Sequence, residues 1–256
     1  MDEENKTAEL PSHKVVLTLE NGRMVIVEKT IEGEEKEPEV LDMARAGKEE
    51  GYVRYTETAH NAVNTSDAPG LSLSILIRPP LHAQRAGQLA ALTAVAAARA
   101  IEKLSTIRVR IRWVNDLYCG TRKIAAAVSH AQIKPNGFLD YMVIRILFAL
   151  SREDFPPKLG DVVRQVFCNE AASLSARLSE LTIREFFSLY DVMNTDLSYM
   201  DDYRRRSMVI GRRVKVLAGE RYVSGHVVEI DNNACLRVQL RRGTRTTVSS
   251  RAEVMF

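Results

Sequence analysis

Short apolar runs separated by turn residues dominate the first part of the chain. Residues 15–19 and 24–28 are rich in β-branched side chains and flank Asn21-Gly22, a dipeptide typical of tight hairpin turns. Residues 52–56 and 71–79 have the same strand-like pattern, and the second run becomes continuously apolar before Pro79. The pattern predicts a hairpin followed by two strands, the later of them in a buried sheet.

Helical spacing of apolar residues appears in three places. Residues 82–104 are rich in alanine, with leucine and valine recurring at helical intervals and no Gly or Pro after Gly87, and predict a helix. A shorter helix is predicted over residues 38–50, which carry a partial apolar face. Residues 155–200 are also predicted to be mostly helical, because leucine and phenylalanine recur there at short spacing.

Strands are expected again between the long helix and the later helical region. Residues 107–113 alternate apolar and cationic side chains, which predicts a half-buried strand. Residues 115–123 are predicted to be a turn, with strands over 124–132 and 141–150. Strands interleaved with helices in this way predict an α+β fold, a mixed β-sheet flanked by helices.

The last part of the chain contains only short β-rich runs. They begin near Val209 and are separated by glycine and asparagine, which predicts a small C-terminal β-barrel. We therefore expect a disordered lead over residues 1–13, a main domain over 14–207 and the barrel over 208–256.

Composition narrows the class of protein. Of 256 residues, 45% are hydrophobic and 27% are charged, as expected of an ordinary globular protein. No apolar stretch reaches the roughly 18 residues of a membrane-spanning helix, and the acidic N-terminal residues do not resemble a secretory signal. The three cysteines have no metal-binding or disulfide spacing. These features predict a cytoplasmic protein that has no membrane partner.

Charge is distributed unevenly along the chain. Residues 1–60 carry 8 Lys/Arg and 15 Asp/Glu, whereas residues 204–256 carry 12 and 4. A basic tail raises the possibility of nucleic-acid binding. Its only aromatic residues are Tyr222 and Phe256, however, which is poor for base stacking, so nucleic acid is not the expected partner.

One segment concentrates chemically versatile side chains. Residues 112–118 read RWVNDLY and residues 122–126 read RKIAA, which brings cations, an amide, a carboxylate and the single tryptophan close together in sequence. Cations at this density can hold an anion through charge-assisted hydrogen bonds. The alternative is an ordinary hairpin, in which Asn115 and Asp116 initiate the turn, Trp113 fills the core and the cations are solvated.

This segment resembles the K-W-P-N-D-[LI]-x-x-x-x-[KR]-K-[LIV]-[AG]-G signature of biotin–protein ligases. Four other segments match the family in order and spacing, so the resemblance runs from about residue 40 to 256. They are residues 50–53 (EGYV), 71–79 (LSLSILIRP), 86–89 (AGQL) and 210–214 (IGRRV). Unlike the family's regulatory members, the sequence shows no N-terminal helix-turn-helix, so we do not expect a sequence-specific repressor.

The resemblance implies a function and a site. Family members join biotin to ATP, with magnesium, to make biotinyl-adenylate, and then transfer biotin to a lysine of a biotin carboxyl carrier domain. The implied partners are that carrier domain and either a second copy of the chain or an authentic ligase. No metal ligand is predicted. The resemblance assigns Arg112 as the catalytic residue and the following as substrate- or nucleotide-binding residues: Trp113, Asn115, Asp116, Arg122, Lys123 and Ala126.

The sequence departs from the family where the phosphate and carboxylate are held. Arg112 and Val114 replace the signature lysine and proline, and Ala126 replaces a glycine. The family's glycine- and arginine-rich loop falls at residues 56–69, which contain no Arg, Lys or Gly. A later G-x-G-x-N element aligns with residues 145–149, which read RILFA. The upstream Ser-Thr pair is also absent, since residues 35–38 read EKEP.

These departures leave two main hypotheses. The first is an active but divergent ligase, in which Arg112 replaces the lysine and Arg54, Arg78 or Arg122 partly replace the loop arginines. The second is a pseudoenzyme, a non-catalytic homologue that binds a ligase or a carrier domain. Loss of a whole cationic loop favours weak or absent adenylation, because a single lost oxyanion donor costs about 2.7–4 kcal/mol.

Overall fold

The computed structural model describes residues 14–31, 39–58, 70–149, 171–218, 221–240, 244–249 and 254–255. The predicted lead over residues 1–13 therefore lies outside the described residues. So do residues 35–38, the greater part of the 56–69 segment, and residues 155–170 of the predicted helical region.

The main sheet has eight strands and is mixed. Its strands stand in the order β1-β2-β3-β4-β8-β7-β6-β5, with β2 and β3 parallel and every other pair antiparallel. They are β1 (Lys14–Thr18), β2 (Met24–Ile31), β3 (Tyr52–Thr58), β4 (Gly70–Ile77), β5 (Arg110–Arg112), β6 (Asp116–Cys119), β7 (Arg122–Ile133) and β8 (Leu139–Ala149).

Four helices are described around this sheet. They are α1 (Val40–Arg45), α2 (Ala86–Leu104), α3 (Ala171–Tyr190) and α4 (Ser198–Arg206), and a short 3-10 helix (Ala83–Arg85) leads into α2. Fourteen of the 19 residues of α2 are buried, because the helix lies between the sheet and α3. Within the described part of the chain, none of the helices is both long enough and apolar enough to cross a membrane.

The C-terminal strands form a second, smaller sheet. All of its pairs are antiparallel, in the order β12-β11-β10-β9-β13. The strands are β9 (Arg213–Ala218), β10 (Arg221–Ile230), β11 (Leu236–Leu240), β12 (Arg245–Val248) and β13 (Val254–Met255). This confirms the predicted α+β class and small C-terminal β unit. Buried residues of this sheet, such as Val214 and Val238, belong to the same apolar cluster as α2 and the main sheet.

The predicted first hairpin is confirmed. Strands β1 and β2 pair in register around Asn21-Gly22, where Gly22 has a φ of +78°, a conformation that favours glycine. The prediction of a turn over residues 115–123 is wrong, because these residues contain strand β6. Leu117 and Cys119 alternate with partly exposed residues and are buried, so this short run has strand periodicity after all.

Glu28 is the centre of a buried ionic cluster beneath the first strands. Its carboxylate accepts hydrogen bonds from Tyr52 and from Arg54 (Nε to Oε2, 2.7 Å), and it is ion-paired to Lys14 (2.8 Å). Burial alone would raise the pKa of Glu28. The hydrogen bonds from Lys14, Tyr52 and Arg54 outweigh that effect, and the pKa lies below its ordinary value of 4.5.

We expect Glu28 to make the stability of the fold depend on acid pH. Because the folded pKa is depressed, the cluster contributes fully above the unfolded pKa, and its contribution is lost as pH falls through the folded pKa. Glu28→Gln should cost about 1–3 kcal/mol at neutral pH and flatten the acid limb. Urea unfolding from about pH 3 to pH 7 measures both, and parallel profiles for the two proteins would contradict the assignment.

Candidate functional site

The register of the main sheet places positions 112, 116 and 126 of the signature on one face. Side chains of directly paired residues lie on the same face, and Arg112 pairs with Asp116, which pairs with Ala126. The same line of pairs continues across the sheet through Leu147, Ser72 and Thr56. We call this line the signature row, and the face that carries it the site face. It is the face opposite α2, because alternate residues such as Ile146 pack in the core.

Three of the predicted residues form a polar cluster on the site face. The Lys123 ammonium is ion-paired to Asp116 (Nζ to Oδ1, 2.9 Å), and both side chains are about one-third exposed. The Arg112 guanidinium donates to the Tyr118 hydroxyl (3.3 Å) from the adjacent strand. Two cations therefore stand beside one carboxylate, and Ala126 is the small buried residue next to Asp116.

Trp113 and Val114 fix the turn between β5 and β6 to neighbouring elements through hydrogen bonds. The Trp113 indole is buried and donates from Nε1 to the carbonyl of Ala234 (2.7 Å), in the turn between β10 and β11. The Val114 carbonyl accepts from the buried Tyr203 hydroxyl (2.6 Å), which holds the turn between β5 and β6 against α4. Trp113 thus belongs to the core, as the ordinary-hairpin alternative predicted, while its neighbours at 112 and 116 face the site.

Two predicted residues are not brought into the cluster. Asn115 lines a different cleft of about 430 Å³, between the start of α2 and the strand β7, together with Ala86 and Ser129. Arg122 is exposed at the tip of the hairpin that joins β6 to β7. The sheet therefore separates the signature into a cation cluster, a buried anchor and peripheral residues.

Two arginines proposed as substitutes for the loop cations are engaged in other contacts. Arg54 is held by Glu28 in the buried ionic cluster. Arg78 donates to the carbonyls of Ala44 (2.8 Å) and Lys48 (3.0 Å), which fixes the end of α1. Both guanidinium groups have structural partners, which argues against a role as mobile phosphate ligands.

Sequence reasoning missed several residues of the site face. Ser72 and Ser74 project from β4, and Arg145 projects from β8, where it pairs with Ser74 and Val128. The alternating pattern of residues 71–77 was a usable signal for the serines. Arg145 could not be assigned to this face without the register of β8.

The cluster has little capacity for a resident metal ion. Within the described ranges, no group of three or more His, Cys, Asp and Glu side chains is placed to hold one. Asp116 is the carboxylate of the signature row, and it is already paired with Lys123.

Sequence comparisons connect this site to known ligases. Residues 60–148 match the model of the Biotin/lipoate A/B protein ligase family. The chain is 27% identical over 100 residues to the bifunctional ligase/repressor BirA of Bacillus spizizenii, and equally similar to that of Bacillus subtilis. Each match covers 39% of this chain and 31% of the relative, so the matched region spans about a third of the relatives' length.

Solved structures share the fold over more of the chain. A biotin protein ligase-like protein of unknown function from a Silicibacter species aligns with a TM-score of 0.66 and 16% identity, over 88% of this chain and 94% of its own. The Aquifex aeolicus biotin protein ligase in complex with biotin and ATP aligns with a TM-score of 0.61 and 13% identity, over 90% and 97%.

Over residues 60–148 the chain therefore resembles the Biotin/lipoate A/B protein ligase family, and it shares its fold with the two solved structures above. The matched region includes Arg112, Asp116 and Ala126 of the signature row.

Proposed function

We propose that this protein is a divergent biotin–protein ligase: it binds biotin and ATP on the site face, forms biotinyl-adenylate and transfers biotin to a lysine of a carrier domain. The observation that carries the proposal is the sheet register, which places Arg112, Asp116 and Ala126 in one row with Lys123 ion-paired beside them. The match of residues 60–148 to the ligase family model and the fold shared with a biotin protein ligase support the same proposal.

Formation of biotinyl-adenylate requires positive charge near the biotin carboxylate and the α-phosphate of ATP. Attack of a carboxylate on an α-phosphate brings two anions together, so cations preorganised around them lower the barrier. Arg112 and Lys123 supply two such charges, and Arg112 offers a planar fork that suits carboxylate or phosphate oxygens. Asp116 holds the Lys123 ammonium in place through their ion pair. The small side chain of Ala126 leaves the row open between them.

A second candidate function is non-catalytic binding of a carrier domain or of an authentic ligase. One specific observation favours it: residues 56–69 supply no Arg, Lys or Gly for a phosphate-binding loop. In that case the scaffold would retain docking surfaces without the charge needed for adenylation.

Carrier labelling separates the two functions. Purified full-length protein is incubated with biotin, ATP, magnesium and a biotin carboxyl carrier domain, and the carrier mass is followed over time. The proposed ligase adds one biotin to the carrier in an ATP-dependent manner. An unmodified carrier, together with co-elution of the two proteins in size-exclusion chromatography, would instead support the non-catalytic candidate. An unmodified carrier that does not co-elute would contradict both.

A further inference from the structure

Arg145 is placed to act on the same ligand as the cation cluster. It lies on β8 two residues before Leu147, a member of the signature row, which is about 7 Å along the strand. Residues two apart on a strand project from the same face, so the Arg145 side chain leaves the sheet beside Ala126. Val128, its partner on β7, is likewise two residues from Ala126.

The Arg145 guanidinium has a weak ion pair with Glu39. Its ion pair with Glu39 is long, at 3.6 Å between Nη2 and Oε2, and the two side chains are 43% and 67% exposed. Exposed pairs of this kind contribute little to stability. Its other neighbours in the sheet are the buried Ser74 and the apolar Val128, neither of which carries charge. The guanidinium is therefore available to exchange Glu39 for a ligand anion.

Its charge complements the composition of the segment between β3 and β4. The last pair of β3 and β4 is Thr58–Gly70, two residues beyond the Thr56–Ser72 pair of the signature row. Residues 59–69 connect the two strands in sequence. Those eleven residues include no Arg and no Lys. Residues 59–69 therefore supply no Lys or Arg charge, whereas Arg145 supplies one on the site face.

We propose that Arg145 is an anion-binding residue of this site, and that it joins Arg112 and Lys123 in holding a carboxylate or phosphate group above Ala126. Arg145 is a diagonal neighbour of Ala126 across the β7–β8 pair, and Lys123 lies three residues before Ala126 on β7. Arg112 lies two strands from Ala126, beyond Asp116, which is roughly 10 Å at a strand spacing of about 4.8 Å. The three long cationic side chains therefore line one stretch of the site face. The inference rests on the proposed function for the identity of the ligand, biotin or ATP, but not for the presence of an anion.

Calorimetric titration of the full chain with ATP and, separately, with biotin tests the proposal. Arg145→Ala should weaken binding of at least one probe about tenfold to a hundredfold, the range expected for a lost charged hydrogen bond. Arg145→Lys should retain most of the affinity, and Arg108→Ala, which removes an exposed arginine elsewhere, should bind as wild type does. The ATP arm reports a phosphate contact and the biotin arm a carboxylate contact. Melting temperatures of all variants should agree, because the Glu39 pair is exposed.

Two results would overturn the inference: Arg145→Ala binding both probes within twofold of wild type, or wild type binding neither probe. Carrier labelling distinguishes this failure from failure of the proposed function. Unchanged labelling by Arg145→Ala would remove the role of Arg145 and leave the ligase proposal standing. If wild type did not label the carrier but bound ATP in an Arg145-dependent manner, the ligase proposal would fail and the role of Arg145 would stand.

Discussion

Replacing Arg112 with alanine is expected to reduce biotinyl-adenylate formation about 100- to 1,000-fold, the usual effect of removing one transition-state donor. Arg112 stands at the end of the signature row, and its guanidinium is oriented by the Tyr118 hydroxyl. Its charge is needed mainly as negative charge accumulates on the phosphate, so the loss should appear in kcat more than in KM. Release of pyrophosphate from ATP in the presence of biotin measures both constants.

The matched variant for this experiment is Arg112→Lys, which restores the residue of the family signature. It keeps the charge and should stay within about tenfold of wild type, since only the geometry of the fork is lost. Arg108→Ala, at an exposed arginine just before β5, serves as the surface control. Full activity in Arg112→Ala would show that the proposed catalytic assignment of this residue is wrong.

Truncating Trp113 is expected to have the largest effect on stability. Trp113→Ala should lower the free energy of unfolding by about 3–5 kcal/mol, because it leaves a large cavity in the core. Trp113→Phe should cost about 1–3 kcal/mol, since the carbonyl of Ala234 would lose its indole donor in a buried position. Chemical denaturation of the three proteins gives both values.

The prediction for Trp113 depends on the hydrogen bonds that hold the C-terminal sheet. Its turn between β10 and β11 is bonded to Trp113 and, through Asn233, to the Gln88 amide of α2 (3.1 Å). The end of β10 is held by Arg204 of α4, which donates to the Ile230 carbonyl (2.8 Å). A control at Val228→Ala, an exposed position of β10, should change stability by less than about 0.5 kcal/mol. A Trp113→Ala variant as stable as this control would mean that the indole does not anchor the sheet.

Much of the fold could be predicted from local patterns. The Asn21-Gly22 turn, the strand ending at Pro79 and the alanine-rich helix all combine hydrophobic periodicity with strong stop signals. Strand β6 was not predicted because the turn formers Asn115 and Gly120 flank it and a third, Asp116, is its first residue. Its alternation also covers only four residues. Turn propensity is a local signal, whereas pairing with both β5 and β7 is a tertiary one.

The residues of the candidate site could be proposed from the sequence, but their arrangement could not. Sequence resemblance picked out residues 112–126, yet the sheet register sends Trp113 to the core and Arg112 to the site face. Contiguous residues of a strand point to opposite faces, so closeness in sequence does not mean closeness in the site. Arg145 illustrates the converse, because it comes next to Ala126 only through the pairing of β7 with β8.

Calorimetric titration of wild-type protein with biotin, in the presence and absence of a non-hydrolysable ATP analogue, tests the central claim most directly. The account predicts that biotin binds, and that its affinity falls at least about tenfold in the double variant Arg112→Ala/Lys123→Ala, where both cations of the cluster are removed. The account would be contradicted if biotin bound neither with nor without the ATP analogue. It would also be contradicted if the double variant bound biotin with the affinity of wild type.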